Sequence, residues 1–276
     1  MMDEAEMNDA EMTVVRREVL APEPAEGLAG MLDIDIPDGA ELPALWHWVY
    51  LLDRRPHRDL GPDGHPTFGI PAPPGPGRRR MFAGGRVTTH RALAFGVETI
   101  RTTSIASTKE KVGRSGPLTF VTVRNEITQA GQIAVVDEQD IVYRSPDSTL
   151  SPGNGADAAS PALPREPSLT LDVDSALLFR FSALTYNAHR IHYDREYVAQ
   201  EGYPDLVVHG PLQALMMGEL FRRTGIDLVG RVYSYRLVSP MIGPQQMTVV
   251  ASGDGIGSGA EVRDQRGTVT AVSSLG

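Results

Sequence analysis

The sequence predicts an α+β protein of two similar halves, each an antiparallel sheet with helical cover. Two blocks of short strand-like runs carry this reading, together with the Pro/Ser/Ala/Gly-rich segment between them and a faint echo from one block to the other. The first block reads "GGRVTTHRALAF", "GVETIRTTSIASTKEKV", "LTFVTVRNEITQ" and "QIAVVDEQDIVYR", rich in Val, Ile, Thr and Phe and broken by Gly, Pro or charged turns. The second reads "VGRVYSYRLVSPMIG", "PQQMTVVASGDG", "SGAEVRDQRG" and "TVTAVSS". The echo sets Arg86-Val87-x-x-x-Arg91 against Arg231-Val232-x-x-x-Arg236, each opening a run that closes at Gly96 or Gly243.

The elements follow in order. Residues 1–20 open with the acidic, polar "MMDEAEMNDAEM" and are expected to form a disordered tail. Residues 21–145 form the first half, in which "LPALWHWVYLL" contains both tryptophans of the chain. Within it, residues 53–80 hold seven prolines and many glycines, so the fixed φ angles and missing N–H groups predict a long loop. Long loops inside compact chains are usually functional or flexible. The linker is placed at 146–167 and the second half at 168–276, beginning "SLTLDVDSALLFRFSAL". One helix is well marked there. Gly210-Pro211 opens it, with proline at the first helical position; Leu212, Leu215, Met216 and Leu220 recur at helical spacing, and Arg222, Arg223 and Gly225 mark its end.

Composition narrows the function. A net charge of −9 argues against a sequence-independent grip on nucleic acid. With no cysteine there is no thiolate metal site, disulfide or thiol nucleophile. No apolar run approaches the ~18 residues that span a bilayer, and the acidic start has no secretory character. The chain reads as a cytoplasmic protein that binds neither nucleic acid nor membrane.

Chemistry-bearing residues concentrate in "FSALTYNAHRIHYDREY" and "VVHGPLQA", which hold His189, His192 and His209 beside Asn187, Asp194 and Gly210. His189-x-x-His192 with Asp194 or His209 is one way to hold a metal, but the spacing is not that of HExxH and no glutamate lies between the histidines. A second reading is structural: satisfied polar side chains at a surface. That reading is the favourite for His47, His57, His65 and His90, taken singly. A third is acid–base chemistry, because imidazole titrates near neutrality and a helix beginning at Gly210 offers N–H groups to a developing oxyanion. The residues alone leave the choice open.

The same stretch resembles the signature of the MaoC-like hydratase/dehydratase family, F-x-x-L-S-x-D-x-N-P-x-H-x-D-x-x-Y followed by H-G-M/P-L. Phe181, Leu184, Thr185, His192, Asp194, Tyr197, His209, Gly210 and Leu212 match that frame. "YSYRLVSPMIG" looks like the family's following strand, while "LPALWHWVYLL", "GPDGHP" and "RRRMFAGGRV" look like the non-catalytic first half of its two-domain branch. That branch includes mesaconyl-C4-CoA hydratases and mitochondrial-type 3-hydroxyacyl-thioester dehydratases. The implied fold is a double hot-dog, with each sheet wrapped around a central helix.

The implied activity is that of a lyase, the reversible hydration of an α,β-unsaturated acyl-CoA. The expected substrate is small and branched or dicarboxylic, such as mesaconyl-C4-CoA. The alternatives are a 3-hydroxyacyl-CoA or acyl-carrier-protein dehydratase, a non-catalytic acyl-CoA-binding protein, or a hot-dog thioesterase. His192 is the implied base, Asn187 orients water and the Gly210 amide holds the thioester oxygen. His189, Asp194 and His209 support them. Asn187 departs from the frame, which has aspartate there, and an amide cannot take a proton. A dicarboxylic substrate calls for a guanidinium, with Arg190, Arg80 and Arg86 as candidates. No metal or cofactor is implied, and a homodimer is the remaining partner expectation.

Overall fold

A computed structural model describes residues 13–36, 39–71, 78–113, 116–144, 166–253 and 255–276. The first half comprises β1 (Val14–Val19), α1 (Glu23–Met31), β2 (Glu41–Leu42), β3 (Arg79–Thr89), β4 (Leu93–Ala94), β5 (Glu98–Gly113), β6 (Gly116–Gln129) and β7 (Gln132–Arg144). The second comprises β8 (Ser168–Val173), α2 (Ser175–Leu184), α3 (Arg195–Gln200), α4 (Gly210–Arg223), β9 (Arg231–Leu237), β10 (Gln245–Ala251), β11 (Ala260–Arg263) and β12 (Val269–Leu275). The linker expected at 146–167 lies outside the described residues up to 165, as do residues 1–12 of the expected tail.

The tail does not extend to residue 20, because residues 14–19 pair with β5 as strand β1. Its apolar pattern hides this. Val15 and Val19 face out, while two of the three inward positions are polar: Arg16 pairs with Asp53, and Glu18 Oε2 accepts from the Leu51 amide at 2.8 Å. Polar anchoring rather than a greasy face fixes the register.

Ten strands make one antiparallel sheet in the order β1-β5-β6-β7-β3-β9-β12-β11-β10-β8. From either edge inward the order is the same: a half's first long strand, its third, fourth and fifth, then its second. The two echoed segments begin in β3 and β9, which pair with each other at the centre. Arg86 faces Ser234 and Thr89 faces Arg231, the exchange that a local twofold between the halves requires. The double hot-dog expected from the sequence is this arrangement.

The halves differ in what their sheets enclose. Leu212 through Phe221 of α4 are all buried, so the helix is covered all round. Its polar members are satisfied inside: Gln213 accepts from Thr270 Oγ1 at 2.7 Å, and Glu219 accepts from Trp46 Nε1 at 2.8 Å and pairs with Arg222. Gly218 lets the first half close on the helix, since a Cβ there would overlap Leu45 Cδ1. In the first half, α1 packs on α2, and two 3-10 turns, Trp46–Val49 and His57–Asp59, follow it. No helix of α4's length lies between β1 and β3 among the described residues. A cavity of about 520 Å³ runs along the inner face of the first sheet toward the start of α4.

Candidate active site

The floor of the site is the segment between α2 and α3. Asp174 caps α2 by accepting from the Leu177 amide at 2.8 Å, and Thr185 ends the helix by bonding back to the Phe181 carbonyl. Tyr186 then takes φ +52°, turning the chain so that Asn187, His189 and His192 line the cavity. Asn187 Oδ1 accepts from the His189 amide at 3.0 Å, an Asx turn that leaves the side-chain NH₂ as donor. A 3-10 turn, Arg190–His192, delivers His192 to a buried position.

His192 Nδ1 lies 2.7 Å from the Val207 carbonyl. A carbonyl only accepts, so Nδ1 carries the proton and Nε2 keeps a lone pair. Burial pushes the imidazole down to about 4, which keeps it neutral and able to accept near pH 7. His209 stacks on the same ring, with centroids 3.6 Å apart and planes within 19°. Its Nε2 is 2.9 Å from Ser182 Oγ, and its side chain does not cap α4. It therefore steadies the His192 ring, anchored in turn by Ser182.

Gly210 is the first residue of α4, where the backbone N–H has no intrahelical acceptor, and Pro211 adds no donor. A Cβ at 210 would overlap Leu237 Cδ1 and meet Phe82 Cδ1 at 3.1 Å. A side chain at 210 therefore forces either Leu237 or the helix start to shift.

Of the three guanidinium candidates, only Arg80 lines the cavity. It has no hydrogen-bond or ion-pair partner among the described residues, and burial pushes it below its ordinary value. Arg190 turns away: it bonds Asp194 Oδ2 through Nη2 at 2.7 Å, reaches the Pro62 carbonyl at 2.9 Å and lies over the Tyr197 ring. An i,i+4 carboxylate on its own segment captures it. Arg86 pairs with Glu138 on the neighbouring strand β7, with its side chain 54% exposed. Asp194 also leaves the site, because it caps α3 through the Tyr197 amide at 3.0 Å and holds Arg190.

The first half contributes residues that single-residue reading left as surface polars. His47 is buried beside Asp137 at 3.6 Å and lines the cavity. His65, from the proline-rich loop, packs its ring 4.1 Å from His189, which in turn stands edge-on to His192 at 5.5 Å. Asp63 Oδ2 lies 3.0 Å from His65 Nδ1. Ligand atoms of Asp63, His65 and His189 lie within 4.8 Å of one another, a spacing that would also admit a metal ion, although the Asp63–His65 bond already engages two of the three. The "GPDGHP" motif was the available signal; its nearness to His189 was not.

The family model for hydroxyacyl-thioester dehydratase type 2 matches residues 45–243. The chain belongs to that family. It is 42% identical to the mesaconyl-C(4)-CoA hydratase of Chloroflexus aurantiacus over 261 residues, covering 91% of this chain and 92% of that protein. Identity to the mitochondrial hydroxyacyl-thioester dehydratase type 2 of Schizosaccharomyces pombe is 26%, over 88% of this chain and 91% of the relative. A solved MaoC-like dehydratase superposes with TM-score 0.68 at 15% identity, covering 97% of this chain and 98% of the other. A double-hotdog protein of Mycobacterium tuberculosis superposes at 0.54 and 14% identity, covering 96% and 94%. In this dehydratase-family chain, the matched region takes in both the loop carrying His65 and the segment carrying His192.

The four histidines of the site, two buried and two half-buried, make a prediction for stability. Burial lowers the pKa of His65, His189, His192 and His209, whereas in the unfolded chain each titrates near 6.5. Below that pH the unfolded state binds more protons, so folding stability falls on acidification and gains nothing further from these groups well above pH 7. Between pH 7 and pH 5 the unfolding free energy should fall more steeply than the ~1.4 kcal/mol per pH unit of one histidine, and the thermal midpoint should drop with it. Melts in a pH series check this, and a flat midpoint over that range would contradict it.

Proposed function

We propose that this chain catalyses reversible hydration of an α,β-unsaturated acyl-CoA carrying a second carboxylate, with mesaconyl-C4-CoA as the expected substrate. One observation carries the dicarboxylic part: Arg80 stands in the cavity of His192 and Gly210 without an acidic partner among the described residues. A guanidinium that lines a cavity without a protein anion calls for one from the ligand, and its fork suits a carboxylate. The 42%-identical hydratase supports the same reading.

In the hydration direction His192 Nε2 takes a proton from water as the water oxygen bonds to the β-carbon. The π pair moves toward the thioester carbonyl, whose oxygen gains enolate charge against the Gly210 N–H and the positive end of α4. The proton held on His192 then passes to the α-carbon, so the enzyme returns neutral. The NH₂ of Asn187 donates to the water oxygen and orients it. Dehydration runs the same steps backward, which accommodates the 3-hydroxyacyl-thioester reading that the family match favours.

Incubating wild type and His192→Ala with mesaconyl-C4-CoA and with crotonyl-CoA, then identifying products by mass, tests this. A hydrated thioester from wild type alone is the expected result. A free acid would indicate a thioesterase, and binding without turnover a non-catalytic module. Arg80→Ala should cut kcat/KM for the dicarboxylic thioester by about 10²-fold while changing crotonyl-CoA turnover less than about threefold, because it removes one charge-assisted contact to one substrate only. An unchanged ratio of the two would remove Arg80 from the reading.

A further inference from the structure

The loop of the first half is built against the reacting segment of the second. Leu60 and Pro66 pair as a β-bridge, the Gly61 amide donates to the His65 carbonyl at 2.7 Å, and the Gly64 amide donates to the Gly61 carbonyl at 2.9 Å. The turn so formed docks through its backbone. The Arg190 amide donates to the Asp63 carbonyl at 2.9 Å, and a Cβ on Gly64, which holds φ +89°, would run into the Ala188 carbonyl. Its side chains are fixed as well. Asp63 accepts from the His65 amide at 2.9 Å through Oδ1 and from His65 Nδ1 at 3.0 Å through Oδ2. A carboxylate only accepts, so Nδ1 carries the proton and Nε2 is left with a lone pair. That nitrogen has no protein partner among the described residues, and the ring lines the cavity.

A water molecule that adds to a double bond presents two hydrogens. His192 Nε2 accepts one of them. Asn187 is poorly placed to accept the other, because its Oδ1 already holds the His189 amide and its NH₂ only donates. His189 has no side-chain hydrogen bond among the described residues that fixes its tautomer, whereas Asp63 fixes that of His65. We propose that His65, oriented by Asp63, is a second catalytic residue: its Nε2 accepts the second hydrogen of the attacking water, so that the non-catalytic-looking half completes the site. This rests on the hydration reading above.

The step balances without another reagent. The O–H bond facing His192 breaks, the O–Cβ bond forms, the π pair goes to the enolate, and the His192 proton forms the Cα–H bond. The hydrogen facing His65 stays on oxygen and becomes that of the product hydroxyl. His65 must be neutral to accept it, and burial lowers its pKa accordingly.

The test uses the full chain with mesaconyl-C4-CoA as probe and compares wild type with His65→Ala, His65→Gln and Asp63→Asn. His65→Ala should lower kcat about 10- to 100-fold with KM changed less than about threefold, the loss expected for one hydrogen bond to the reacting water. His65→Gln, which keeps an acceptor but takes no proton, should recover at least about fivefold of that loss; a purely structural role predicts no such recovery. Asp63→Asn should fall between wild type and His65→Ala. Thermal melts establish that each variant is folded. Wild-type kcat retained in folded His65→Ala overturns the proposal, as does His65→Gln no better than alanine. Stoichiometric metal in the purified chain, with activity lost on chelation and on Asp63→Asn, would overturn it in favour of a metal site. If wild type itself does not hydrate the thioester, the underlying hydration reading fails instead.

Discussion

Replacing His192 by alanine should lower kcat for hydration by about 10²–10⁴-fold, the range for removal of a positioned acid–base group, with KM little changed. The expectation follows from the tautomer: Val207 fixes the proton on Nδ1, which leaves Nε2 with the lone pair of a ring that lines the cavity. Since alanine also removes the ring stacked on His209, His192→Gln serves as the partner variant, preserving bulk and an acceptor but not proton uptake. Both should be comparably impaired. The pH profile of the wild type gives an independent sign. Burial lowers the His192 pKa to about 4, so the base loses its lone pair to protonation only on approach to that pH. In the free enzyme, kcat/KM should stay level as pH falls through 6.5 and decline toward 4, within the range where the fold survives. A decline centred at 6.5 and absent from His192→Gln would show that the imidazole is not held in this neutral form.

Gly210→Ala should be nearly as damaging, and for a steric reason. The helix start cannot retreat from Leu237 and Phe82, because α4 is buried from Leu212 to Phe221. The added methyl must push aside either the Leu237 side chain or the first turn of α4, and the second outcome moves the N–H that the proposed mechanism gives to the thioester oxygen. Loss of an oxyanion donor costs about 10²–10³-fold in kcat. Overpacking should also lower stability by about 1–3 kcal/mol. Gly257→Ala is the matched control, since a Cβ there meets nothing within 4 Å and the backbone is not left-handed. Kinetics and melts on the two variants separate a local effect from a general intolerance of alanine. Equal activity in both would contradict the assigned role of the Gly210 amide.

Much of the second half was legible because its signals are local. Proline in the first turn and the Leu/Met spacing marked α4, and the strand runs fell where β9 to β12 lie. His192 and Gly210, the residues the resemblance singled out, both line one cavity. The arginines were less legible. Arg190, Arg80 and Arg86 are chemically identical in sequence, and only Arg80 is left without an anion among the described residues; Asp194 and Glu138 take the other two. An ion pair across strands, or between a 3-10 turn and a helix cap, is fixed by three-dimensional neighbours.

By itself the sequence determined the two-half antiparallel plan, the helix at Gly210 and the His192 frame, because each depends on residues within a few turns of one another. Only the tertiary structure decided that β3 and β9 join the halves into one sheet, that β1 is held by Arg16 and Glu18, and that the turn carrying Asp63 and His65 docks on the segment carrying His189 and His192. Those contacts join residues more than 100 positions apart or buried polar groups with no period, and their partners are set by folding the chain rather than by any local pattern.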